Sequence, residues 1–318
     1  MKSPVLSILF LLISVTLLAV PNDFRFRHFS VEDGLSSNSV RAIMQDKYGF
    51  LWIGTEEGLN RYDGIMIKSY SICPQAAGKY ISSLYGTKKN IWIGTDEGIY
   101  IYAYATETFT YFDLTTPNNV RITSIVNHIL QDKDGNLWFS TNGQGLFRYN
   151  LSKNYLEQYE FTSAFGIVAS TMADSDNQIW ALTNQGESGV YKLNKAENKF
   201  EPFGLLYNAG NHHSQALAML EDSEQTLWLG TWECGLQKID KYTRQTTTYL
   251  HPTDGKGVTH IHSLMEYAPH QLLIGSDDGL LLFNTLTEEY KLFTENETVP
   301  NSLSNRFVYP IIKDREGE

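Results

Sequence analysis

Several short runs in this chain carry residue types that do chemistry in other proteins. Asp132-Lys133-Asp134-Gly135-Asn136 looks like the start of a calcium loop, but such a loop needs further oxygen ligands and a Glu at its twelfth position, and these are missing. Carboxylates stand in pairs at Glu56-Glu57, Asp96-Glu97 and Asp277-Asp278. Two carboxylates facing each other across a glycosidic bond would make an acid/base pair. These pairs recur at one slot of a repeated pattern, which a solvated turn explains better than a catalytic pair does. No nucleophile elbow, phosphate loop or zinc spacing is present. The sequence therefore assigns no catalytic residue, no metal and no cofactor.

The elements that would position any site come from a repeat. Leu51-Trp52-Ile53-Gly54-Thr55 returns as Ile91-Trp92-Ile93-Gly94-Thr95, Leu137-Trp138-Phe139-Ser140-Thr141, Ile179-Trp180-Ala181-Leu182-Thr183, Leu227-Trp228-Leu229-Gly230-Thr231 and Leu272-Leu273-Ile274-Gly275-Ser276. Positions 52, 92, 138, 180, 228 and 273 step by 40, 46, 42, 48 and 45 residues, and five of the six tryptophans occupy this slot. The flanks repeat as well. Six residues before the slot stand Asp46, Asp132, Asp174 and Asp222, read as turn residues that bond their own backbone. Gly49 and Gly135, with Asn177 in the same place, suit a left-handed turn position. A Gly-apolar pair follows each copy, at Gly58, Gly98, Gly145, Gly189, Gly235 and Gly279. The second and sixth copies lack the Asp turn.

Each period reads as four short strands, in the first copy Val40 to Gln45, Phe50 to Thr55, Leu59 to Tyr62 and Met66 to Ser71. Four strands in about 40 to 50 residues is the signature of a β-propeller blade. The fold expected is all-β, a propeller of antiparallel blades, six complete and a seventh incomplete. Trp52, Trp92, Trp138, Trp180 and Trp228 are its structural repeat, packed between neighbouring blades, and Leu273 should leave its junction less tightly filled. Phe24 to Ser30 reads as an outer strand donated to blade seven. Leu303 to Asp314 matches Leu35 to Asp46 in spacing, so the chain reads as a piece of a longer protein whose seventh blade has only these two strands.

Composition agrees. Aromatic residues make up 13% of the chain, with 19 Tyr and 16 Phe, and suit half-buried pleated surfaces. A net charge of -11 argues against nucleic acid, which needs a basic face. Residues 1–20 form a targeting segment: Lys2 precedes an apolar run of 16 residues, Val5 to Val20, which suits a signal peptide better than a bilayer span. An N-terminal anchor is the alternative. The domain division is thus 1–20, signal peptide or anchor, and 21–318, propeller. Cys73 and Cys234 share no motif and read as independent thiols.

The stretch SVEDGLSSNSVRAIMQDKYGFLWIGTEEGLNRYDG, Ser30 to Gly64, closely resembles the two-component regulator propeller repeat, and the likeness extends over essentially the whole chain after residue 20. The resemblance implies the periplasmic sensor region of a hybrid two-component sensor histidine kinase of the Bacteroidetes type. In that family two seven-bladed propellers precede a β-sandwich, a membrane helix, a kinase and a receiver, and often an AraC-type module. The parent would be membrane-anchored and dimeric, and would sense oligosaccharides. None of the signalling modules lies within these residues.

Function is then sought where the repeat departs from itself. Most turns between the second and third strands are two residues and a Gly, but the fifth is Trp232-Glu233-Cys234-Gly235, with the one Trp outside the repeated slot. Such turns share a face with the connectors between blades, here the segment holding Asn211, His212 and His213 and the one holding His260 and His262. Sugars bind by stacking on an exposed aromatic ring with amide and charged groups at its rim. The candidate ligand residues are therefore Trp232, Glu233, Asn211, His212, His213, His260 and His262. The alternative functions are a secreted propeller enzyme acting on polysaccharide, a lyase or hydrolase, and a structural propeller that binds proteins on its flat face.

Overall fold

The computed structural model describes residues 24–73, 79–161, 166–183, 189–205, 215–251, 257–296, 298–299 and 301–315. The targeting segment lies outside them. Among the described residues no helix is long and apolar enough to cross a membrane.

Six four-stranded antiparallel sheets follow one another along the chain, each a simple up-and-down meander. In blade one the strands are Val40–Gln45, Leu51–Thr55, Gly58–Tyr62 and Ile67–Tyr70, within a residue of the pattern read from sequence. Each junction between blades has its own apolar cluster. Trp52 packs with Ile81, Ile91, Ile93 and Tyr102 of the next blade, and Trp92 with Leu137, Phe139 and Phe147. Trp138, Trp180 and Trp228 do the same at the next three junctions. A blade cannot bury these rings by itself, so the ring of blades is what the repeated tryptophan requires. Truncating such a buried ring costs about 3–5 kcal/mol.

The repeated Gly before the Thr has a reason that pattern alone did not show. A Cβ on Gly54 would lie 2.5 Å from Ile81 Cγ2. Gly94, Gly230 and Gly275 likewise face the first residue of the next blade's inner strand, Val126, Ile261 and, past blade six, Val308. The Thr or Ser that follows is fully buried and closes the turn, as Thr55 Oγ1 donates to Gly58 O at 3.1 Å.

The repeated Asp does more than shape its turn. Asp46 Oδ1 accepts from the Tyr48 and Phe50 amides, and Oδ2 accepts from the Trp52 indole at 2.8 Å. Asp132, Asp174 and Asp222 take the indoles of Trp138, Trp180 and Trp228 in the same way. The oxygens of Asp132 that a calcium reading would need are thus already occupied. Gly49, Gly135 and Asn177 adopt the left-handed backbone expected of them, with φ of 92°, 83° and 58°.

A seventh sheet is not formed by the described residues. The two segments assigned to it form no strand ladder, and the one bridge in them joins Leu303 to Glu295. Phe24 and Phe26 lie edge-on to Phe293, and Phe24 also to Tyr267, while Phe26 N donates to Asn301 O. Val308 N donates to Ser276 O, and Arg315 reaches Gln45 and Lys47 of blade one. A strand is defined by a ladder to its neighbours, and no neighbour stands between these two segments. They nevertheless fill the junction that Leu273 was expected to leave loose. Leu273 is buried against Phe24, Phe26, Val308 and Ile311. Cys73 and Cys234 form no disulfide.

Candidate functional site

The inner strands line a central channel of about 340 Å³. Each begins with a bulge, one residue that has no partner on the second strand. The bulged residues are Arg41, Ser82, Asn127, Ala169, Leu217 and His262. In the segment past blade six, Tyr309 follows Val308 as His262 follows Ile261, and all seven residues line the channel. A bulge re-aims one side chain without disturbing the rest of the ladder. Here it places a ring of variable residues along the channel while the position before each bulge stays apolar. Five of the ring, His262, Tyr309, Arg41, Ser82 and Asn127, form a continuous polar arc from blade six round to blade three.

Trp232 stands at the end of that arc. Its backbone is held by two hydrogen bonds, Trp232 N to Gln215 O at 2.8 Å and His260 N to Trp232 O at 3.0 Å. These tie the blade-five turn to the connectors on either side, on the shared face that the sequence implied. Its ring is 38% exposed and stacks on His260 with centroids 3.8 Å apart. His260 has a left-handed backbone, φ 47°, a costly conformation for a residue with a Cβ. His262 stacks in turn on Tyr309 at 4.2 Å, and the Arg41 guanidinium lies 4.7 Å over the Tyr309 ring.

Asp277 holds the two histidines. Its carboxylate accepts from His260 Nδ1 at 2.5 Å and from His262 Nε2 at 2.7 Å. Burial alone would raise the Asp277 pKa, but the two imidazoles outweigh it and hold the group below the ordinary carboxylate range. Burial lowers the His262 pKa, with Asp277 pulling the other way. An ionised carboxylate can only accept, so the pairing fixes both tautomers, with the proton on Nδ1 of His260 and on Nε2 of His262. The other nitrogen of each ring is left as an acceptor. Asp278 is committed beside it, accepting from the amide and hydroxyl of Thr259 at 2.8 and 2.9 Å. The Asp277-Asp278 pair is therefore a clamp on the blade-five to blade-six connector rather than a solvated turn.

The arrangement thus brings together Trp232, His260 and His262 from the sequence-based set. Glu233 is exposed in the same turn. Asn211, His212 and His213 lie outside the described residues. Asp277, Tyr309 and Arg41 were missed. For Arg41 and Tyr309 a signal was present, because the bulge position varies among blades while the residue before it stays apolar. Among the described residues no cluster of His, Cys, Asp and Glu is arranged to hold a metal ion.

Six meander blades, with an Asp–Trp pair in four of them and a variable ring along the channel, define a β-propeller. The two-component regulator propeller repeat matches residues 34–57 and 120–143, the first match falling on the strand and turn of blade one and the second on those of blade three. A histidine kinase of Formosa agariphila is 26% identical over 293 residues, which is 87% of this chain and 21% of the kinase. The extracellular domain of a hybrid two-component system of B. thetaiotaomicron superposes with a TM-score of 0.76 at 24% identity, over 92% of this chain and 39% of that one. A streptogramin B lyase superposes at 0.65 with 16% identity, over 84% of this chain and 87% of the lyase. These two structures share the propeller fold. The chain spans about a fifth of the kinase's length and about two fifths of the sensor domain's.

Proposed function

We propose that this chain is the ligand-sensing propeller of a hybrid two-component sensor kinase and that it binds an oligosaccharide at the channel mouth, with no chemistry of its own. The sensor function rests on the repeat family and on the likeness to a histidine kinase. A periplasmic location follows from the apolar run Val5 to Val20 and from the extracellular domains that share the fold. Kinase activity, membrane anchoring and dimerisation belong to the longer parent under this reading.

The observation that carries the ligand assignment is the exposed Trp232 ring beside a fixed set of hydrogen-bonding groups. An aromatic face covers the C–H side of a sugar, and preset polar groups at its rim read the hydroxyls. Trp232 takes the stacking role, with His260 supporting it from below and Asp277 fixing His260. Titration calorimetry of a panel of oligosaccharides against wild type and Trp232→Ala is the test. A saccharide that binds wild type and loses at least about tenfold in affinity on truncation, roughly the stacking contribution of one ring, supports the assignment. Unchanged binding overturns it.

A further inference from the structure

The charge and hydrogen-bond inventory of the channel mouth narrows the ligand class. The described turns between second and third strands carry Glu56, Glu57, Asp96, Glu97, Glu233, Asp277 and Asp278 and not one Lys or Arg. Among the described residues two cations are paired with carboxylates of these turns. Arg41 donates from Nε and Nη2 to Glu56 Oε1 at 3.0 and 2.5 Å, and Lys79 is paired with Glu97. One of the two Asn127 Nδ2 hydrogens is used as well, donating to Val168 O at 2.9 Å. So is Ser82, whose hydroxyl donates to Val126 O at 2.8 Å. The carboxylates outnumber these cations. The tautomers fixed by Asp277 leave His260 Nε2 and His262 Nδ1 as acceptors, and carboxylate oxygens have more lone pairs than the bonds they make here. Glu57 and Asp96 are exposed.

We infer that the site selects uncharged saccharides over uronic-acid or sulfated ones, by presenting acceptors to sugar hydroxyls and a carboxylate field to any anion. This rests on the saccharide reading given above. A hydroxyl can donate to every acceptor on this surface, whereas a uronate or sulfate group offers only acceptors and meets donors that are mostly engaged. An unpaired anion placed against such a surface loses its hydration without a partner. Like charge also slows its approach, an effect that salt screens.

The test compares matched pairs of neutral and C6-oxidised oligosaccharides, the same backbone with and without the carboxylate, binding to the purified chain by calorimetry. Measurements run from about 0.01 M to about 1 M NaCl, across which the Debye length shrinks from about 30 Å to about 3 Å. The neutral member should bind at least about tenfold tighter at low salt, corresponding to about 1.4 kcal/mol, with the ratio shrinking as salt rises. The Glu57→Gln/Asp96→Asn variant, which removes two exposed charges, should shrink the ratio too, and an unchanged ratio in that variant would overturn the carboxylate field as its cause. Equal or tighter binding of the oxidised member overturns the selectivity and leaves the saccharide reading intact. Binding by neither member of any pair overturns both.

Discussion

The Trp52 indole donates to Asp46 Oδ2 at 2.8 Å, six residues back along the chain, and both groups are buried, at 0% and 2% exposure. One carboxylate thereby ties the turn between two strands to the ring that fills the gap between two blades. Opposite Trp52 on the third strand is Arg61, whose guanidinium lies over the ring at 5.8 Å. The same trio recurs as Asp132, Trp138 and Arg148, as Asp174, Trp180 and Lys192, and as Asp222, Trp228 and Lys238.

Removing the carboxylate should therefore cost more than a turn residue does. Asp46→Ala strands three donors, the Tyr48 and Phe50 amides and the Trp52 indole, and should lower unfolding free energy by about 3 kcal/mol. In Asp46→Ala/Trp52→Phe the indole no longer needs a partner, so the double variant should lose about 1 kcal/mol less than the sum of the singles. Urea melts of the four proteins measure the cycle. Additivity would mean that the indole bond contributes nothing.

Blade two breaks the trio at both positions, which makes it a natural control. Its first turn is one residue shorter, and Thr87 takes the Asp position, accepting from the Asn90 amide at 3.0 Å. A hydroxyl has one oxygen where Asp has two, and Trp92 Nε1 is left buried without a hydrogen-bond partner. Ile101 replaces the cation opposite it. Thr87→Asp should stabilise the protein by about 1 kcal/mol, the net value of one intramolecular hydrogen bond. A rise in the urea midpoint with unchanged slope is the expected result, and a fall would show that the shorter turn cannot bring a second oxygen to the indole.

Two glycines that look alike in sequence should respond differently to substitution. Gly54→Ala pushes a methyl into Ile81 across the junction and should cost about 1–3 kcal/mol as overpacking. Gly49 has nothing within 4 Å of its added Cβ but has φ +92°, so Gly49→Ala should cost about 1 kcal/mol from backbone strain alone. Replacing Ile81 by Ala should partly rescue the first variant and leave the second untouched. Thermal melts separate the two cases.

The scaffold was legible in the sequence because each blade solves the same problem with the same residues. Trp52 and its copies mark the junctions, Gly98 and Gly145 mark the turns, and strand limits read from the first copy hold within a residue. The site was only partly legible. Trp232 stood out as the tryptophan outside the slot, and the His260 segment followed from the rule that turns and connectors share a face. Asp277 was masked by its likeness to Glu56 and Asp96 at the same turn position, whereas its two histidine partners come from another segment. Tyr309 and Arg41 are 268 positions apart (309 − 41) and meet only because the segment past blade six lies against blade one. No local pattern records that contact. The two segments read as strands of blade seven form no sheet and instead pack on blade six through Phe24, Phe26 and Val308, because strand pairing depends on neighbours that spacing cannot supply.

His128 should give the fold a dependence on pH that is separate from the candidate site. It sits half-buried on the inner strand of blade three beside the channel, with Nδ1 itself buried and unpartnered. Burial pushes its pKa from 6.5 down to about 4, against a weaker upward pull from the backbone at Thr171. Between those values the unfolded chain takes up a proton that the folded one refuses, so stability falls as pH drops from about 6.5 to about 4 and this group contributes no further loss below that. The shift of 6.5 − 4 pH units corresponds to about 3 kcal/mol. His128→Gln keeps a polar side chain that does not titrate. Its urea midpoint should change less than that of wild type between about pH 7 and about pH 4.5, and the difference between the two proteins isolates His128 from the carboxylates that also titrate on acidification. Parallel pH profiles would mean that His128 takes up its proton in the folded state, as it would if the channel admitted water to Nδ1.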